Sequence, residues 1–134
     1  MKTYIVAYVA TAVVFFGLDF LWLSRVATGF YRSQIGPLML AQPNFAAAGI
    51  FYLFYIGGIV YFAVIPALSG GTWTTALVSG AILGLIAYGT YDMTNLSTLK
   101  GWTIPMTITD MLWGAALTGV AATIGYLVTS RFAA

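Results

Sequence analysis

Four runs of this chain, Thr3–Ser24, Phe45–Leu68, Thr75–Ser97 and Ile104–Thr129, are each long and apolar enough to cross a bilayer. The hydrocarbon layer is about 30 Å thick, and about 20 apolar residues of helix span it. Inside it every backbone N–H and C=O needs an internal partner, which leaves helices and closed barrels as the only spanning forms. No run alternates with a period of two, and four segments cannot close a barrel. The chain therefore reads as an all-α membrane protein, an up-down bundle of four transmembrane helices in a single domain covering residues 1–134. Composition agrees, because only 6% of residues are charged, against about a quarter in a soluble domain. The first run is too long for a signal-peptide core, is followed by no small-residue cleavage site and is interrupted by Asp19, so it reads as a retained span.

Chemistry is narrowed by what is missing. The chain has no Cys and no His, which excludes disulfides, thiolate nucleophiles, Cys-based metal sites and the commonest general base. No metal site and no cofactor is expected. A formal charge of +2, scattered along the chain, lacks the basic patch that nucleic acid requires.

The connections differ in character. Arg25–Asn44 contains Gly36-Pro37 and Pro43 and is expected to interrupt the helix, with Pro37–Ala41 lying at the membrane interface. Ser69–Trp73 and Thr98–Thr103 are short turns, which imply antiparallel neighbours. Pro105 falls in the first turn of the fourth span, where its missing N–H costs nothing. Trp22, Trp73 and Trp102 lie near span ends and read mainly as interfacial anchors. Lys2 and Arg131 lie at one end of the bundle, with Arg25, Arg32 and Lys100 at the other, so positive charge does not decide the orientation.

All three acidic residues fall inside spans. Asp19 and Asp92 are each five residues before the ends of the first and third spans, and Asp110 is six after the start of the fourth. An up-down bundle brings these ends to one side, with the carboxylates roughly 7–9 Å inside the same boundary. Burying an Asp at the centre of a membrane helix costs about 2.5 kcal/mol or more, so three at one depth mark a candidate site. Helical spacing adds Tyr88, Asp92 and Asn95 on one face, with Tyr91 adjacent, and aligns Phe15, Asp19 and Trp22 on another. Thr107, Asp110 and Trp113 or Gly114 line a third, and Ala48, Tyr52, Tyr55 and Ile59 a fourth. Turned inward, these stripes define a one-sided polar pocket with aromatic walls. The candidate ligand-binding residues are Asp19, Asp92, Asn95, Asp110, Tyr88, Tyr91, Trp22 and Arg32. The competing reading is structural, with the carboxylates held by Tyr, Asn, Arg and helix-end N–H groups as polar glue.

Two smaller patterns stand out. Gly80-Ala-Ile-Leu-Gly84 is a GxxxG that allows close helix approach within one chain or between two, so a homodimer is open. Asp19-Phe-Leu-Trp22 and Asp110-Met-Leu-Trp113 share Asp-x-Leu-Trp on oppositely directed helices, which reads as coincidence ahead of inverted duplication.

Those motifs, together with Gly29-Phe-Tyr-Arg32, Gly36 and the stretch Tyr88-Gly-Thr-Tyr-Asp92-Met-Thr-Asn95-Leu-Ser-Thr-Leu-Lys-Gly-Trp102, also resemble a known family. It is the bacterial predicted-membrane-protein family known as domain of unknown function number 2177. The resemblance covers nearly the whole chain and implies a four-span protein of the bacterial inner membrane. It carries no established activity or catalytic residue, and tilts the reading slightly toward a lipid-related role.

Three functions fit these residues. The first is binding or transport of a small polar or amphiphilic ligand in the one-sided pocket, with Asp92 and Asn95 at its centre and Asp19 and Asp110 sharing protons or facing Arg32. The second is an enzyme acting on a lipid. Paired carboxylates suit acid–base work and three of them suit Mg²⁺, but no nucleophile–base pair and no Asp-x-x-Asp motif is visible. The third is an accessory or structural subunit of a membrane complex.

Overall fold

The computed structural model describes residues 1–133. Its elements are α1 (Lys2–Trp22), a π-helical turn (Leu23–Ala27), α2 (Thr28–Ile35), α3 (Phe45–Ile59), a second π-helical turn (Val60–Val64), α4 (Ile65–Leu68), α5 (Trp73–Thr98) and α6 (Ile104–Phe132). They form four stretches long and apolar enough to cross a membrane, and no strand occurs among the described residues. The expected all-α four-span architecture is the one observed.

The second, third and fourth spans begin where the sequence provides caps. Asn44 accepts the Ala47 N–H at 3.1 Å to open α3. Thr103 accepts the Met106 N–H at 3.2 Å to open α6, with Pro105 in its first turn. The turns before α5 and α6 rest on Gly70 and Gly101, whose φ angles of +99° and +83° favour glycine.

The first span departs from expectation. Helix does not stop at Ser24 but continues as a stretch of 37 residues to Leu38, about 55 Å at 1.5 Å per residue and longer than the hydrocarbon. The reason lies in the backbone. Between Arg25 and Ile35 only Gly29 weakens a helix, and the first true breaker is Pro37. Polar residues there mark the exit from the hydrocarbon and leave the helix intact. A short 3₁₀ turn at Gly36–Leu38 then ends it, and Met39 is extended.

α6 is the centre of the bundle, running antiparallel to α1 on one side and to α5 on the other. Its seam with α5 is made of small residues. A Cβ on Gly80 would sit 2.9 Å from the Thr118 carbonyl and from Ala122, while one on Gly84 would strike the Gly114 carbonyl. The GxxxG is thus occupied by the chain's own packing. On the other side Gly125 lies against Thr11 of α1. Phe15, Ile56, Ile59, Val64 and Leu117 are fully buried between the spans and form the apolar core.

The second span is joined unevenly to the third. The π turn Val60–Val64 and α4 pack on α5, whereas α3 itself hardly touches it. α3 leans on α1 instead, where Phe15 packs on Tyr52 and Tyr55 at 5.6 and 5.7 Å and the Tyr8 hydroxyl donates to the Leu53 carbonyl at 2.7 Å. The two spans therefore meet near their short Gly-rich turn and separate toward the acidic end.

Candidate functional site

The separation of α3 from α5 leaves a cleft of about 980 Å³ at the acidic end of the bundle. One wall is Ala48, Phe51, Tyr52 and Tyr55 from α3, and the other is Ala87, Tyr88, Tyr91 and Asn95 from α5. Met106 and Asp110 of α6 line its depth, and Tyr31, Ile35 and the segment Leu38–Leu40 close it toward the membrane boundary. The rim is open sideways, with Phe51 and Tyr91 exposed by 55% and 54%.

Behind the cleft lies a chain of polar contacts that links three helical stretches. The Tyr31 hydroxyl donates to Asp110 Oδ1 at 2.6 Å and accepts the Trp22 indole N–H at 3.1 Å. Trp22 stacks on Trp113, and the Trp113 N–H donates to Asp19 Oδ1 at 3.3 Å. Asp92 is fully buried, and neither of its oxygens has a hydrogen-bond partner. Its acidic neighbour is Asp110, across the α5–α6 seam. Thr103 also donates to Gln34 Oε1 at 2.6 Å, which ties α2 to the start of α6.

The candidate residues divide into three groups. Tyr88, Tyr91, Asn95 and Asp110 line the cleft. Asp19, Asp92 and Trp22 pack behind it, with Asp19 and Asp110 each only 7% exposed. Arg32 joins neither group. It is exposed, and no ion pair forms among the described residues, so the carboxylates have no guanidinium partner. Asp110 is the acidic neighbour of both Asp92 and Asp19, and the Trp113 indole N–H is bonded to Asp19. No three acidic groups converge closely enough to hold a metal ion among the described residues.

The tryptophans also depart from the expected interfacial belt. Trp73 is exposed by 52%, as an anchor would be. Trp22 is stacked inside the polar network, and Trp102 is buried against Ile35 and Met106 with its N–H unpaired.

Tyr31 is not among the candidate residues read from the sequence, and its bond to Asp110 was missed. On a straight α-helix nine residues at about 100° each put Trp22 and Tyr31 on opposite faces. The π turn between them accommodates an extra residue and under-rotates the helix, which swings Tyr31 round to the Trp22 side. The absence of any breaker before Gly36 was the available signal that Tyr31 is helical.

A continuous apolar exterior, four spans and an acid-bearing cleft buried at membrane depth define a polytopic α-helical membrane protein. Residues 4–127 match the family described as "Predicted membrane protein (DUF2177)", and the chain belongs to that family. No curated protein and no solved structure matches it.

Proposed function

We propose that this protein binds an amphiphilic small molecule in the cleft between α3 and α5, with the polar group at Asp110 and Asn95 and the apolar part along the aromatic walls. The observation that carries the reading is the burial of Asp110 at the wall of a cleft that is otherwise mostly aromatic and aliphatic. Ligand pockets range over about 300–1,000 Å³ and combine apolar walls with a few placed polar groups, and this cleft lies at the upper end. Its sideways opening, at the depth of the spans, suits a ligand that arrives from the lipid phase. Asp92, Asp19 and Trp22 act behind it by fixing Asp110 and Tyr31, and Arg32 stands outside at headgroup level. On the family resemblance the membrane is the bacterial inner membrane.

Native mass spectrometry of the protein released from mild detergent tests the proposal. Wild type is expected to keep a small amphiphile that Ala48→Phe, which fills the cleft from α3, releases. Equal retention by both would end the cleft reading.

Transport is the second reading, favoured by the burial of Asp92 and Asp110 as neighbouring acidic groups inside the spans. A unit of four helices leaves little room for a full pathway, so this reading calls for a second copy, which the same spectrum would weigh. Uptake into proteoliposomes driven by a proton gradient, and abolished by Asp92→Asn, would establish it. Lipid chemistry or an accessory role would instead appear as altered lipid composition on deletion or as a stable protein partner.

A further inference from the structure

The charge balance of the cleft bears on what its ligand is. Three carboxyl groups lie within or just behind it, and no basic side chain lines it: Arg25, Arg32 and Lys100, at that end of the bundle, are all exposed. Internal donors do not make up the difference. Asp110 receives one hydroxyl, Asp19 receives one indole N–H, and Asp92 receives nothing from a neutral donor. The acidic groups are therefore under-supplied with positive charge in a region where the surroundings screen charge poorly.

The walls supply the second half of the argument. Phe51, Tyr52, Tyr88 and Tyr91 flank the space in front of Asp110, with Trp102 closing it. Aromatic faces carry negative potential and attract a cation placed within about 6 Å of the ring, by about 2 kcal/mol or more when water is excluded. A carboxylate with several aromatic faces around it suits an ammonium group. An anionic head would meet Asp110 with no basic side chain in the lining to offset it.

On the reading that the cleft binds an amphiphile, we infer that the polar group it selects is a cationic ammonium. Asp110 is the counter-charge, and the aromatic side chains around it exclude water from the contact. Asp92 stands behind Asp110 as a second acidic group.

The test uses purified protein in a nonionic maltoside detergent. An alkyltrimethylammonium, a monoacylglycerol and a fatty acid of matched chain length are titrated in turn, with one-to-one adducts followed by native mass spectrometry. The ammonium probe is expected to bind at least about tenfold more tightly than the neutral probe, the factor that 1.4 kcal/mol of cation attraction supplies. Asp110→Asn is expected to remove that preference, so that the ammonium and neutral probes bind alike. Tyr91→Ala, at a half-exposed position whose loss does not threaten folding, is expected to reduce it severalfold and carries the test if Asp110→Asn does not fold. Equal binding of the three probes, or preference for the fatty acid, would overturn the ammonium assignment and leave the amphiphile reading standing. Saturable binding of none would overturn both.

Discussion

The indole rings of Trp22 and Trp113 stack with centroids 4.4 Å apart and planes 9° from parallel. Each belongs to an Asp-x-Leu-Trp motif, and each reaches toward the other motif's carboxylate. Trp113 donates directly to Asp19, while Trp22 reaches Asp110 through the Tyr31 hydroxyl. The repeated motif is thus a reciprocal brace between α1 and α6, with structural content that its spacing alone did not reveal. Stacked aromatic pairs contribute about 0.5–1.5 kcal/mol beyond the area they bury. A double-mutant cycle of Trp22→Leu and Trp113→Leu, read from thermal unfolding in detergent, is expected to give a coupling of about 1 kcal/mol. Additive losses would show that the stack contributes nothing of its own.

Tyr31→Phe removes the donor to Asp110 and the acceptor of the Trp22 N–H while keeping the ring. A buried polar group left without its partner costs about 1–3 kcal/mol, and a loss in that range is expected in the same melting experiment. A change below about 0.5 kcal/mol, the usual bound for surface substitutions, would mean that the network does not brace the bundle.

Deleting Ser24, an exposed residue within the π turn, should let the first span relax to a regular α-helix and rotate Tyr31 away by about 100°. The expected stability loss matches that of Tyr31→Phe, and the two changes together should cost little more than either alone. Full additivity would show that the turn does not position Tyr31.

Glycines on and off the helix seam should answer oppositely to alanine. At Gly84 the added methyl meets the Gly114 carbonyl, and overpacking of this kind costs about 1–3 kcal/mol. At Gly17, exposed on α1 with nothing within 4 Å of a new Cβ, alanine should stabilise by up to about 1 kcal/mol through helix propensity. Similar melting temperatures for both variants would argue against the α5–α6 contact.

Asp92→Asn keeps the side chain's shape and puts an amide donor beside Asp110, whereas Asp92→Leu leaves Asp110 with an apolar neighbour. Near-wild-type stability is expected for the first and a loss of about 1–3 kcal/mol for the second. If Asp92→Leu were the more stable, the carboxyl pair would be a cost carried for function alone.

Much of the architecture follows from local properties of the chain. The spans at Phe45, Trp73 and Ile104 begin within about two residues of expectation, because bilayer thickness sets helix length and because Asn44, Thr72 and Thr103 are good caps. Turning Asp19, Asp92 and Asp110 inward also follows, since a charge facing lipid is costly and the up-down order of the spans places their helix ends together. Arg32 and Trp102 were misjudged for the converse reason. A residue beyond the hydrocarbon has no strong solvent preference to orient it, and its position depends on how the helix carrying it rotates.

The sequence alone therefore settles that the chain spans a membrane four times and buries three acids at one end, since these depend on transfer energies summed along each helix. The tertiary structure decides which acids touch, which aromatic side chains brace them and where space is left. Those outcomes turn on two π turns and on the divergence of α3 from α5. Small rotations of this kind change which side chains meet while leaving the hydrophobic pattern unaltered.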